Sequence, residues 1–285
     1  MRVNVGDVRL FVEVLGRKID DHLGWQVERP TLVLLHGGPA WDHTTLLSDL
    51  APLADVAQLV FYDHRGLGRS DRSGPEHWNL DRWADDLRGL LAALEIERPI
   101  ILGQSFGGMV AQRFAIGSPH LCSGLILLAT AARIDLAAVV AAFTDVGGPR
   151  IGEAARAQFT SGDPALRAVF REEALRYYTQ TPGSMKLTAA FRPDVSDWFF
   201  SDAGDARRYD YREALKATHV PALIIGGNRD PVFSPAATHE LAHAFPPGMA
   251  EAHVLERCGH GPARDRPHAT LELIRAFVTS VARST

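Results

Sequence analysis

The chain has 285 residues, 46 % of them hydrophobic and 22 % charged. These are the proportions of a soluble globular protein that buries a core without metal or disulfide staples. Thirty Lys and Arg against 34 Asp and Glu leave a formal net charge of −4, so no basic field points to nucleic acid. Two cysteines, Cys122 and Cys258, are too few for a disulfide framework. No apolar signal segment or membrane-length run is present, and the expected setting is a cytoplasmic protein with no membrane partner.

Residues 8–14 (VRLFVEV) crowd apolar side chains onto a period-two pattern and read as an early strand. Short, continuously apolar runs at 31–36 (TLVLLH), 58–63 (QLVFYD), 99–103 (PIILG) and 124–129 (GLILLA) read as strands buried on both faces. Between them, Leu80, Trp83, Leu87, Leu90, Leu91 and Leu94 recur at helical spacing, and 105–116 has the small and apolar residues of a close-packed helix. Strands alternating with helices imply right-handed βαβ units and a mostly parallel α/β sheet.

From 131 to 217 the alternation stops. DLAAVVAAF, IGEAARAQF, ALRAVFREEALRYYTQ and SMKLTAAF read as helices, punctuated by Gly147-Gly148-Pro149, Gly162-Asp163-Pro164 and Thr181-Pro182-Gly183. A strand at 221–226 (PALIIG), a helix at 235–245, a strand at 250–255 and a last helix at 267–281 resume it. The expected organisation is one core domain, residues 1–130 and 218–285, interrupted by a helical cap at 131–217 above the carboxyl ends of the strands. Its aromatic residues, Phe143 and Phe170 among them, are expected to form the cap core and in part to line an apolar pocket.

The most informative stretch is Gly103-Gln104-Ser105-Phe106-Gly107, which follows an apolar run and opens a helix. A serine in a strained strand-to-helix turn needs neighbours without a Cβ two residues away on each side, and G-x-S-x-G supplies them. A serine of ordinary acidity is a poor nucleophile, so the motif calls for a base and an acid that orients it. Asp230 follows PALIIGGNR, and His260 lies between glycines after the next strand. Ser105, Asp230 and His260 are therefore the expected catalytic residues, with Asp135 as the substitute acid. Asp230 as a helix cap and His260 as an ordinary loop histidine are the structural alternatives. The backbone N–H groups of Phe106 and Gly38 are the expected oxyanion donors, since Pro39 has no N–H to offer.

Taken together, HGGP at 36–39, DHRGLGRSD at 63–71, GQSFGG at 103–108, GGNRD at 226–230 and GH at 259–260 resemble the α/β-hydrolase superfamily. The likeness spans nearly the whole chain outside 131–217. HGGP followed by D-x-R-G-x-G-x-S resembles the proline iminopeptidase group of serine peptidases. That resemblance implies an α/β-hydrolase fold, no cofactor, and removal of an N-terminal residue, commonly proline, from a small-molecule or short-peptide substrate. Ala40 stands where that group usually has glycine, and Phe106 where tryptophan or tyrosine is more usual. The insertion has no obvious match to the cap glutamates that hold a free amine; Glu172, Glu173, Asp197 and Asp202 are the acids on offer. A carboxylesterase or lactonase for small apolar esters therefore stays open beside the aminopeptidase, as does a ligand-binding protein with a retained triad. Asp63, Arg65 and Ser70 are expected to fix a loop beneath the active site rather than to react.

His239-Glu240-Leu241-Ala242-His243 matches H-E-x-x-H, which on a helix sets two imidazoles on one face for zinc. Phe245-Pro246-Pro247-Gly248 ends that helix where a third ligand would be required, so no metal is expected.

Overall fold

The computed structural model describes residues 1–22, 25–181 and 190–283. Among the described residues ten strands form: β1 (Arg2–Asn4), β2 (Arg9–Leu15), β3 (Ile19–His22), β4 (Trp25–Glu28), β5 (Thr31–Leu35), β6 (Gln58–Tyr62), β7 (Ile100–Gln104), β8 (Gly124–Leu128), β9 (Ala222–Gly227) and β10 (Ala250–Leu255). Eight of them make one sheet in the order β1-β2-β6-β5-β7-β8-β9-β10. Pairing is antiparallel at β1/β2 and β2/β6 and parallel from β6 to β10. β3 and β4 form a separate antiparallel hairpin. The fold class is α/β, with helices on both faces of a mostly parallel sheet.

The continuous apolar runs have a direct cause. Along β5, Leu32 and Leu34 face one hydrophobic cluster while Val33 and Leu35 face the other, so every position is buried. The helices of the sheet domain are α1 (Thr44–Leu50), α2 (Leu80–Ala93) and α3 (Phe106–Gly117) in the first half of the chain. Asn79 caps α2 by accepting from the Arg82 amide at 2.8 Å, and Leu80, Trp83, Leu87 and Leu90 form its buried stripe.

Between β8 and β9 the described chain is largely helical: α4 (Leu136–Gly147), α5 (Pro149–Gln158), α6 (Pro164–Val169), α7 (Pro193–Phe199) and α8 (Arg212–Leu215). The run ALRAVFREEALRYYTQ is not the single helix its composition predicts. α6 ends at Val169, a π-helical turn spans Phe170–Ala174, and a 3₁₀ turn spans Leu175–Tyr178. The predicted helix over SMKLTAAF falls mostly on 184–189, outside the described residues. After β9 come α9 (Pro235–His243), α10 (Pro262–Asp265) and α11 (Pro267–Ala282). Among the described residues, no helix is long and apolar enough to cross a membrane.

In a parallel sheet all carboxyl ends emerge on one side, which is where α/β proteins place ligands. The loops after β5, β7, β8, β9 and β10 begin there, and they carry Gly38, Ser105, Thr130, Asp230 and His260 respectively.

Candidate active site

Ser105 sits between β7 and α3 with φ 53° and ψ −118°, a conformation that ordinary residues avoid. The strain is held from several sides. The Ser105 amide donates to the Leu128 carbonyl at 2.9 Å, and the Thr130 hydroxyl donates to the Ser105 carbonyl at 2.9 Å. The glycines of the motif answer a steric need. A Cβ on Gly103 would stand 2.4 Å from the Gly107 carbonyl oxygen, and one on Gly107 would stand 2.2 Å from that of Leu35.

His260 Nε2 lies 2.9 Å from Ser105 Oγ, and His260 Nδ1 lies 2.8 Å from Asp230 Oδ2. A carboxylate only accepts, so Nδ1 carries the imidazole proton and Nε2 is free to accept from the serine hydroxyl. Asp230 is fixed in turn: its Oδ1 accepts the amides of Val232 at 2.7 Å and Phe233 at 3.0 Å. Both Asp230 and His260 are buried, and Ser105 is half-buried at the floor of a cavity of about 130 Å³. Gly38 and Phe106 border the same cavity beside the serine.

The sequence profile of the alpha/beta hydrolase fold matches residues 30–267. The chain belongs to the α/β-hydrolase fold family. A proline iminopeptidase of Heyndrickxia coagulans is 24 % identical over 293 aligned positions, covering 95 % of this chain and 98 % of that one. The solved proline iminopeptidase-related protein of Thermus thermophilus superposes with a TM-score of 0.77 at 24 % identity, covering 100 % of this chain and 98 % of that one. The enol-lactonase of Burkholderia xenovorans does so with a TM-score of 0.70 at 23 % identity, covering 98 % and 100 %. The two structures share the fold.

Around the central three residues the hydrolase has a frame that motif reasoning only partly reaches. The backbone N–H of His260 donates to the Tyr178 carbonyl at 2.7 Å, and the Tyr178 ring stands edge-on to the imidazole at 4.8 Å between centroids. Asp265 ties the histidine loop to the segment after Tyr178: it accepts the amides of Gly259 at 2.7 Å and Gln180 at 2.9 Å. Neither Tyr178 nor Asp265 belongs to a motif, and no local pattern marks them.

The loop after β5 is held from behind. Asp63 Oδ1 accepts from the His43 backbone at 2.9 Å and from His43 Nδ1 at 2.6 Å, while Oδ2 accepts the Arg69 amide at 2.8 Å. His43 Nε2 donates to Glu13 at 3.1 Å. Burial alone would lower the His43 pKa, but the hydrogen bond and charge of Asp63, the hydrogen bond to Glu13 and the charge of Asp42 more than offset it and raise it. Burial likewise opposes ionisation of Asp63, and the hydrogen bond from the His43 ring, the charge of His36 and the amides of Arg69 and His43 together outweigh it, so that carboxyl is held below its ordinary range. The Ser70 hydroxyl donates to the Asp63 carbonyl at 2.6 Å. Arg65 is fully buried, bridging Asp86 at 2.6 and 2.8 Å and Asp7 at 2.8 Å. Asp63, Arg65 and Ser70 thus sit in the interior frame and outside the cavity lining.

The remaining sequence candidates lie elsewhere. Asp135 caps α4, accepting the Ala138 amide at 3.1 Å, and pairs with Arg133. In the H-E-x-x-H stretch, Glu240 pairs with Arg133 and Arg212, His243 Nδ1 donates to the His239 carbonyl at 2.7 Å, and both histidines are exposed. None of Glu172, Glu173, Asp197 and Asp202 lines the cavity over Ser105. Glu173 pairs with Arg150, Asp197 with Arg167 and Asp202 with Arg207; Glu172 is exposed.

Proposed function

We propose that this protein is a serine hydrolase that cleaves a small ester or amide through an acyl-enzyme on Ser105. The observation that carries the reading is the unbroken chain of hydrogen bonds from Ser105 Oγ through His260 to Asp230, at the floor of a cavity. In this reading His260 Nε2 takes the serine proton as Oγ attacks the carbonyl carbon. The amides of Gly38 and Phe106 hold the oxyanion, and the helix α3 N-terminus favours its charge. The imidazolium then protonates the leaving group. Water, deprotonated by the same nitrogen, releases the acid and restores the serine. Asp230 fixes the tautomer throughout.

We assign residues 131–217 as the cap of this site. Phe159, Phe170, Phe191, Phe199 and Phe200 contribute apolar wall from that stretch, which suits an apolar acyl group.

Two substrate readings differ in charge. The names of the relatives favour an aminopeptidase of proline iminopeptidase type, which must hold a free ammonium. The cavity lining favours an esterase or lactonase, because among the described residues no Asp or Glu borders it. A desolvated ammonium without a carboxylate is costly, whereas an ester or lactone needs none. We therefore favour the esterase or lactonase.

The test pairs wild type with Ser105→Ala on L-prolyl p-nitroanilide and on p-nitrophenyl butyrate. Ester turnover in the wild type, abolished by the substitution, is the expected result. Equal rates for the two proteins would remove the nucleophile, and preferential release from the prolyl arylamide would return the aminopeptidase.

A further inference from the structure

The polar part of the cavity wall carries charge of one sign. Two arginines border it, Arg171 and Arg264, and among the described residues no carboxylate does. The stretch 182–189 (PGSMKLTA) contains no acidic residue either. The nearest acid of the reacting chain, Asp230, is already engaged by two amides and His260.

The two arginines are not equivalent. Arg264 is compensated: it pairs with Asp49 at 3.1 Å and donates to the Thr45 carbonyl at 3.3 Å. Arg171 has no ion pair among the described residues. Its guanidinium carbon stands 5.7 Å from the centroid of the Phe191 ring, another cavity residue. The π-helical turn at Phe170–Ala174 puts Phe170 and Arg171 together on the wall, half-burying the arginine, while Glu172 is exposed and Glu173 pairs with Arg150. An unpaired guanidinium beside an aromatic ring, in a largely apolar chamber, is a recognition element for a carboxylate and repels an ammonium.

We infer that the substrate carries a carboxylate in addition to its scissile ester or lactone, and that Arg171 binds it. This rests on the reading of Ser105 as the nucleophile and narrows it to anionic acyl substrates. The carboxylate would sit against the guanidinium fork while the reacting carbonyl lies over Ser105. A substrate with a free N-terminal amine would meet Arg171 with like charge.

The experiment compares kcat/KM for mono-p-nitrophenyl succinate and glutarate with that for p-nitrophenyl butyrate, in wild type, Arg171→Gln, Arg171→Lys and Ser105→Ala. The expected result is a wild-type preference for a half-ester, expressed as the ratio to the neutral ester. That ratio falls by about 10- to 100-fold in Arg171→Gln, the range of one charge-assisted contact, and by less in Arg171→Lys. Free glutarate should also inhibit the wild type competitively, and prolinamide should not; this readout needs no variant. A half-ester ratio unchanged in Arg171→Gln, or inhibition by prolinamide and none by glutarate, overturns the inference while leaving the serine chemistry standing. Unchanged turnover in Ser105→Ala instead brings down the functional reading beneath it.

Discussion

Replacing Asp230 by asparagine tests the orientation of the imidazole more sharply than deleting the carboxylate. Oδ1 of Asp230 accepts two backbone amides, from Val232 and Phe233, while Oδ2 faces His260 Nδ1. An asparagine has one accepting end and one donating end. The two amides require the acceptor on their side, so the side-chain NH₂ must face His260 Nδ1. Reversing that choice would strand two buried donors, at about 1–3 kcal/mol each. Nδ1 then becomes the acceptor and the imidazole proton moves to Nε2, the nitrogen that must receive the serine proton. The expected fall in kcat is about 10³- to 10⁴-fold, equivalent to about 4–5.5 kcal/mol of barrier. KM should change little, and melting should shift by only a few degrees because the shape and the single oxygen that accepts both amides survive. Steady-state hydrolysis of p-nitrophenyl butyrate with parallel circular-dichroism melting measures both. Asp230→Ala, which also loses that accepting oxygen, should melt below Asp230→Asn. A folded Asp230→Asn enzyme within about tenfold of wild type would refute the tautomer argument and with it the role given to His260.

Arg65→Met should cost about 3–5 kcal/mol, because Asp86 would keep a buried charge with no partner. Asp7 is half-exposed, so Asp7→Asn should cost about 1 kcal/mol or less, and equal urea midpoints for the two variants would contradict the burial argument. Gly107→Ala should destabilise by at least about 1–3 kcal/mol, since its Cβ meets the main chain of β5 rather than a side chain that can yield; a wild-type melting curve would count against the steric account. The His43 network makes stability pH-dependent. With its pKa raised in the fold, His43 contributes fully below its ordinary value of 6.5 and loses that contribution as pH rises through the folded value. The unfolding free-energy gap between wild type and His43→Asn should therefore narrow as pH rises above the ordinary value of 6.5, and a constant gap would exclude a charged His43.

What can be read in the sequence follows from how local each feature is. Strands buried on both faces announce themselves as unbroken apolar runs, so 31–36, 58–63, 99–103 and 124–129 fall on β5, β6, β7 and β8 within a residue or two. The Ser105 turn is equally local, because its glycines answer clashes within a few residues and with the adjacent strand. β1, α1 and the β3–β4 hairpin leave no such trace: each is short and has little amphipathic period to read. The polar frame is out of reach for a different reason. Glu13, His43 and Asp63 lie on β2, on the loop after β5 and just after β6, and only strand pairing brings them together. The same holds for Asp265, which clamps Gly259 and Gln180.

The acids between β8 and β9 show how composition can mislead about charge. Counting Glu172, Glu173, Asp197 and Asp202 proposes several anchors for an amine, yet three of the four are paired with arginines and none reaches the cavity. Helical phase decides which member of a run faces inward, and the π-helical turn at 170–174 changes that phase in the middle of ALRAVFREEALRYYTQ. With the extra residue in the turn, Phe170 and Arg171 line the wall while Glu172 is exposed. Ser105, Asp230 and His260 stand on loops at the strand ends, and Arg171 stands on a separate helical turn. If Arg171 binds the substrate carboxylate as proposed, substitution there should alter substrate charge preference without moving Ser105, His260 or Asp230, and a preference for an anion is compatible with a fold shared with a proline iminopeptidase-related protein.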